Sequence, residues 1–183
     1  MINKHAQDFD DLLKGYQPFK VRMIQQAAGI ALAFFKTNFV NQGFTDSTLQ
    51  KWPSRKGGAR NKGRATLIDR GILKRSIRIK SSTITGATIG IDPAIKYAEI
   101  HNFGGTIPLT PKMRRFFWAM FYKFGGGNKR TANNEQALFW RNLALSKNSE
   151  ITIPKRQFIG DSRTLDKKVF AYVTQELGKF LKV

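Results

Sequence analysis

Any chemistry in this chain would have to start from very few groups. It holds two histidines, His5 and His101, and no cysteine. The missing cysteines remove thiolate zinc sites, cysteine nucleophiles and disulfide frameworks together. Glu99 is the acid nearest His101, and in a strand the two would share a face, because strand side chains alternate with period two. Such a pair can share a hydrogen bond or contribute to a metal or proton-transfer site. No further acid, imidazole or nucleophile accompanies it at ligand spacing, so His101 reads as a structural or interface residue before a catalytic one. Asp8, Asp10 and Asp11 precede a helical pattern, where carboxylates meet the positive end of the helix dipole. Gly58-Ala59-Arg60-Asn61-Lys62-Gly63-Arg64 looks superficially like a phosphate loop. Arg64 and Ala65 stand where Lys and then Ser or Thr would be needed, and no strand leads in, so nucleotide binding is set aside. The residues thus name no catalytic group, metal or cofactor.

Binding chemistry is better represented. Residues 51–66 contain no acid, several glycines and no hydrophobic periodicity, and read as a flexible basic arm. Lys51, Arg55, Lys56, Arg60, Lys62 and Arg64 would act as counterions to phosphate, with Trp52 able to stack on a base. The same residues suit an acidic protein partner, or a merely solvated loop. Composition points the same way: 32 Lys and Arg against 12 Asp and Glu give a formal charge of +20. That exceeds what solubility needs and makes the folded chain repel itself, so an acidic neighbour is expected. With 41% hydrophobic residues among 183, one domain with a sizeable core is expected over residues 1–183. No secretory h-region and no apolar run long enough to span a bilayer is evident, so no membrane partner is expected.

The elements that must position these groups follow from spacing. Phe9, Leu12, Leu13 and Tyr16 predict a short amphipathic helix that Gly15 to Pro18 should interrupt, with Pro18 opening a longer helix. On that second helix Ile24, Ala28, Ala31, Phe35 and Phe39 share a face, and Gly43 should end it. Ile72 and Leu73 suggest a helical turn. Alternation at Ile77 and Ile79, then at Ile89 and Ile91, predicts an antiparallel strand pair. Tyr97 to His101 fits either strand or helix until Gly104-Gly105 breaks it. Met113, Phe116, Phe117, Met120 and Phe121 mark an aromatic helix from Lys112 to Phe124, whose other face offers Arg114, Arg115, Trp118 and Lys123 to a partner. A flexible Gly-rich loop over 125–134 and a helix from Asn134 to Leu145 follow. Ile151 to Ile153 reads as a short edge strand, and the helix from Ser162 onward should be capped by Asp161 or Ser162. Together this is an α+β fold: a small, mostly antiparallel sheet packed with several helices, among them a long N-terminal and a C-terminal one.

Four segments in order carry a family resemblance: Gly71-Ile72-Leu73-Lys74-Arg75-Ser76-Ile77; Ile89-Gly90-Ile91; Tyr97-Ala98-Glu99-Ile100-His101-Asn102-Phe103-Gly104-Gly105; and Ile153-Pro154-Lys155-Arg156-Gln157-Phe158-Ile159-Gly160. With Trp52-Pro53 and the basic stretch upstream, they resemble phage virion-morphogenesis, or tail-completion, proteins from about residue 35 onward. The resemblance implies a non-enzymatic protein without a cofactor, acting late in virion assembly at the tail end or the head–tail joint. Its expected partners are other head–tail junction or tail proteins and further copies of itself in a ring, with the basic arm facing DNA or an acidic neighbour. Its location would be the virion or an assembly intermediate in the host cytoplasm. Tyr97, His101, Phe103, Gly104, Gly105, Pro154, Arg156 and Phe158 are then read first as fold determinants and second as subunit-interface residues. The alternative from a different class is a stand-alone basic nucleic-acid-binding module.

Overall fold

The computed structural model describes residues 2–54, 65–125, 127 and 134–181, and of residues 2–8 the backbone only. Most of the expected arm, including Arg55, Lys56, Arg60, Lys62 and Arg64, and most of the expected loop at 125–134 lie outside the described residues. The fold is α+β, and among the described residues the strands form three separate two-stranded antiparallel pairs rather than one sheet. The chain gathers into two compact units.

The first unit comprises residues 1–51, 70–96 and 158–183. Its spine is α1, Ile2–Asn41, which continues through Pro18 instead of breaking there. An interior proline removes one backbone bond and crowds the preceding turn, at about 3 kcal/mol. Contacts on both sides of it oppose that loss. Phe19 is buried and stacks on Phe180 with ring centroids 4.3 Å apart, while Tyr16 meets the same ring at 6.3 Å. Burying one such ring contributes about 2–3 kcal/mol, and each aromatic pair about 1 more, enough to match the proline penalty. Tertiary packing therefore overrides the local break signal.

Phe180 belongs to α6, Arg163–Leu181. This helix runs antiparallel to α1, with Thr164 at Asp46, Lys168 over the Phe34 ring and Phe180 at Phe19. At the other end of α1 the chain turns through Gln42, at φ 52°, into β1, Gly43–Thr45, paired with β2, Leu49–Lys51. A Cβ on Gly43 would lie 2.5 Å from the Gln50 carbonyl oxygen. Glycine here permits the close approach of two strands, and Gln42 takes the left-handed turn. α2, Ile72–Ser76, leads into the hairpin of β3, Ile77–Thr83, and β4, Gly86–Ile91, which packs on α1. Ile77 is fully buried opposite Ile91, as the alternation predicted.

The second unit comprises residues 52–69 and 97–157. Tyr97 to His101 resolves as helix: α3 spans Ala98–Phe103 and stops at Gly104. β5, Gly105–Pro108, pairs with β6, Glu150–Ile153, Gly105 opposite Ile153. Between them α4, Pro111–Lys123, and α5, Glu135–Leu145, form a helical hairpin. Thr110 caps α4 by accepting from the Met113 N–H, with Pro111 in the first turn where its missing N–H is not needed. Phe117, buried, lies 5.8 Å from the Trp140 ring and anchors the pair. Phe116, expected in the core, is 53% exposed and shares the outer face of α4 with Arg115, Tyr122 and Lys123.

Candidate functional site

The second unit brings the separated motif segments to one node. Three stretches meet: Trp52 to Ser54, the α3 end with Gly104-Gly105, and Pro154 to Gln157. The Trp52 indole N–H donates to the Gln157 carbonyl at 2.7 Å. Arg156 is buried; its Nε donates to the Pro53 carbonyl at 2.9 Å and its Nη2 to the Ser54 carbonyl at 3.3 Å. Its backbone N–H donates to the His101 carbonyl at 2.8 Å, joining the α3 end to the segment after β6. One guanidinium thus fixes the strap from the side while its own backbone fixes the helix end. Arginine suits this, since several N–H groups in a rigid plane can serve several carbonyls at once.

Gly104 completes the node. Its φ is 77°, its N–H donates to the Ile100 carbonyl at 2.9 Å, and an added Cβ would lie 2.9 Å from the Lys155 backbone nitrogen. Both the left-handed backbone and the close approach exclude a side chain. The glycine therefore lets α3 end where β5 must begin. Pro154 is half-buried, and Gly105 opens β5. Tyr97 and Phe103 point the other way: they are 46% and 67% exposed, and the Tyr97 ring meets His101 edge-on at 5.9 Å.

The last motif continues into the first unit, where Phe158 is fully buried and lies 5.3 Å from the Phe39 ring. Its carbonyl accepts from Asn38 Nδ2 at 3.2 Å, and the same amide, through Oδ1, accepts from the Thr45 N–H at 3.4 Å. Ser162 is the cap of α6, receiving the Leu165 N–H at 3.2 Å while donating to the Thr45 carbonyl at 2.8 Å. Asp46 receives the Arg163 N–H at 2.8 Å and adds negative charge at that helix start.

These placements correct several readings from the sequence. The strand argument for pairing Glu99 with His101 fails, because in α3 residues two apart point to different sides. Glu99 is exposed and His101 half-buried. Trp52, offered as a stacking residue, is buried with its indole N–H engaged, so it acts as an anchor of the node. Lys51 is exposed on β2, its ammonium donating to the Asn41 carbonyl at 2.7 Å. Arg114, assigned to a partner face, instead donates to the carbonyls of Ala144, Ser146 and Asn148 at 3.0, 2.6 and 3.0 Å. It thereby satisfies the orphan carbonyls at the end of α5. Asn38 and Asp46 were missed altogether. A signal existed for Asn38, a polar residue at core spacing between Phe35 and Phe39, which in a helix means a buried amide with specific partners.

Among the described residues no three His, Asp or Glu side chains gather as a metal-binding group, and no helix is long and apolar enough to cross a membrane. A family model described as the phage virion morphogenesis family matches residues 36–178, most of the chain. No curated protein and no solved structure matches it.

Proposed function

The chain belongs to the phage virion morphogenesis family, and from that premise we propose that it completes the tail or joins head to tail, as a non-enzymatic subunit of a homo-oligomeric ring. The observation that carries the reading is the node around Arg156. Its polar groups are directed at backbone carbonyls that hold the fold, which is what a structural subunit requires, and its outward groups, Tyr97 and Phe103, are large apolar surfaces of the kind interfaces bury. The charge of +20 supports an acidic neighbour, either DNA or an acidic protein of the assembly. The arm residues Lys51, Arg55, Lys56, Arg60, Lys62 and Arg64 are the groups assigned to that contact.

Electron microscopy of lysates from phage lacking this gene tests the role. Unjoined heads and tails are expected; complete infectious particles would refute it. Light scattering of the purified protein, with and without DNA and across salt, tests the ring, and a mass indifferent to both would remove charge as its driver. The charge itself also favours a second reading, a stand-alone nucleic-acid-binding module. That reading requires a monomer that binds DNA with a steep salt slope and is weakened when Lys56, Arg60, Lys62 and Arg64 are neutralised together.

A further inference from the structure

α4 and α5 stand between the paired strands β5 and β6, and within the second unit they pack on each other and on no other element to a comparable extent. The outer side of α4 is left to solvent. Ala119 is exposed there, and the residues three and four positions to either side of it are Phe116, Tyr122, Arg115 and Lys123. On a helix those four surround the central residue, so the small side chain at 119 leaves a hole of the kind that receives a side chain from a facing helix. Along the axis the two rings stand about 9 Å apart and the two cations about 12 Å apart, each about 6 Å from Ala119. Phe116 meets Trp140 edge-on at 5.9 Å, and Tyr122 stacks on Trp118 at 6.1 Å. These contacts brace both rings at the rim, where they are 53% and 62% exposed.

We propose that this hole takes an apolar side chain from an acidic helix of another protein, whose carboxylates meet Arg115 and Lys123. Charge selects the occupant. α4 contains no acid, and among the described residues no carboxylate pairs with Arg115 or Lys123. Residues 109–149 hold eight Lys and Arg against one acid, Glu135, so this surface lacks counterions of its own. Two unpaired cations bracketing an apolar seat fit a partner with carboxylates on both sides of an apolar residue. On a facing helix that is an aliphatic side chain with Asp or Glu three or four residues before and after it, about 6 Å away along the axis in each direction. The same face of a second copy would set cations against cations. A membrane-surface helix buries an unbroken apolar face, whereas here cations share the middle of it. A nucleic-acid duplex would engage the cations and leave both rings and the seat solvated. The argument for the hole uses α4 and its neighbours alone and does not rest on a tail or ring role.

The test uses the full-length protein and two labelled helical peptides of Ala and Glu. One carries a single Leu with Glu three and four residues to each side, and the other has Ala in place of that Leu. Fluorescence anisotropy at low salt should give the Leu peptide a midpoint of about tens of micromolar and the Ala peptide one about tenfold weaker. Ala119→Gln fills the hole, keeps the charge and suits a helix, so it should weaken the Leu peptide about tenfold. Arg115→Gln combined with Lys123→Gln should weaken both peptides. All three positions are exposed, so the thermal midpoint of each variant should stay at the native value. A labelled oligothymidine strand should bind the native protein and Ala119→Gln alike. Equal binding of the two peptides, or a Leu peptide indifferent to Ala119→Gln, overturns the proposal. Loss of oligothymidine binding in Ala119→Gln would assign the hole to a base, and loss of self-association in that variant, read by sedimentation velocity, would assign it to a second copy; either result also overturns it. Failure of the tail or ring role would leave the peptide result standing, so the two proposals fail separately.

Discussion

Replacing Arg156 by methionine tests whether the motif node is a fold determinant. Methionine keeps much of the aliphatic volume and removes the guanidinium, so packing is largely preserved while the donors to Pro53 and Ser54 are lost. A hydrogen bond from a charged donor contributes about 1.5–3 kcal/mol. Pro53 and Ser54 are themselves exposed, so water can serve their carbonyls again after the substitution, which places the net loss at about 2–4 kcal/mol. For a chain of 183 residues each kcal/mol moves the midpoint by about 2–4 °C, so thermal unfolding followed by circular dichroism should fall by roughly 4–16 °C. Arg156→Lys should recover part of it, because an ammonium can reach one carbonyl but lacks the planar fork that serves two. If Arg156→Met shifts the midpoint by less than about 2 °C yet weakens salt-dependent DNA binding, then the guanidinium is a ligand contact and the node reasoning is wrong.

Gly104→Ala should cost about 2 kcal/mol or more, from a φ of 77° and a Cβ placed 2.9 Å from the Lys155 nitrogen; a midpoint equal to that of the native protein would show that the chain relaxes there freely. Pro18→Ala should raise both helicity and the midpoint, by up to about 3 kcal/mol, since it restores the missing N–H without touching the Phe19 and Phe180 stack; a lower midpoint would mean that the proline serves the fold. Neutralising Lys56, Arg60, Lys62 and Arg64 to Gln should leave the midpoint within about 1 °C and reduce the salt slope of DNA binding by about 3–4; an unchanged slope would remove the arm from that role.

How much of the fold could be read beforehand depended on whether its signals were local. α4, α5, α6 and the β3–β4 hairpin were legible because apolar periodicity and cap residues lie within each segment. Thr110 and Pro111, Asn134 and Ser162 all stand where the helices begin. β1, β2 and β5 were not legible, since each holds a single large apolar residue and so shows no alternation, whereas β6, equally short, carries Ile151 and Ile153. Pro18 misled for the complementary reason: its breaking tendency is local, whereas the Phe180 ring that spans the break lies far along the chain.

The candidate site divides in the same way. Its residues could be named from the ordered motifs, but their roles needed geometry. A catalytic group must keep a lone pair or a proton directed into space that a substrate can enter. Here Arg156 is directed at Pro53 and Ser54, Trp52 at Gln157, Asn38 at Phe158 and Ser162 at Thr45. Four side chains from distant parts of the sequence are thus used to satisfy backbone groups where short strands and helix ends leave them unpaired. A fold with such small strand pairs has few ladder bonds, so side chains must supply the remainder. That requirement explains why polar residues stand in these motifs without reactive partners. What the node presents outward is Tyr97 and Phe103, exposed apolar surface of the kind that interfaces bury.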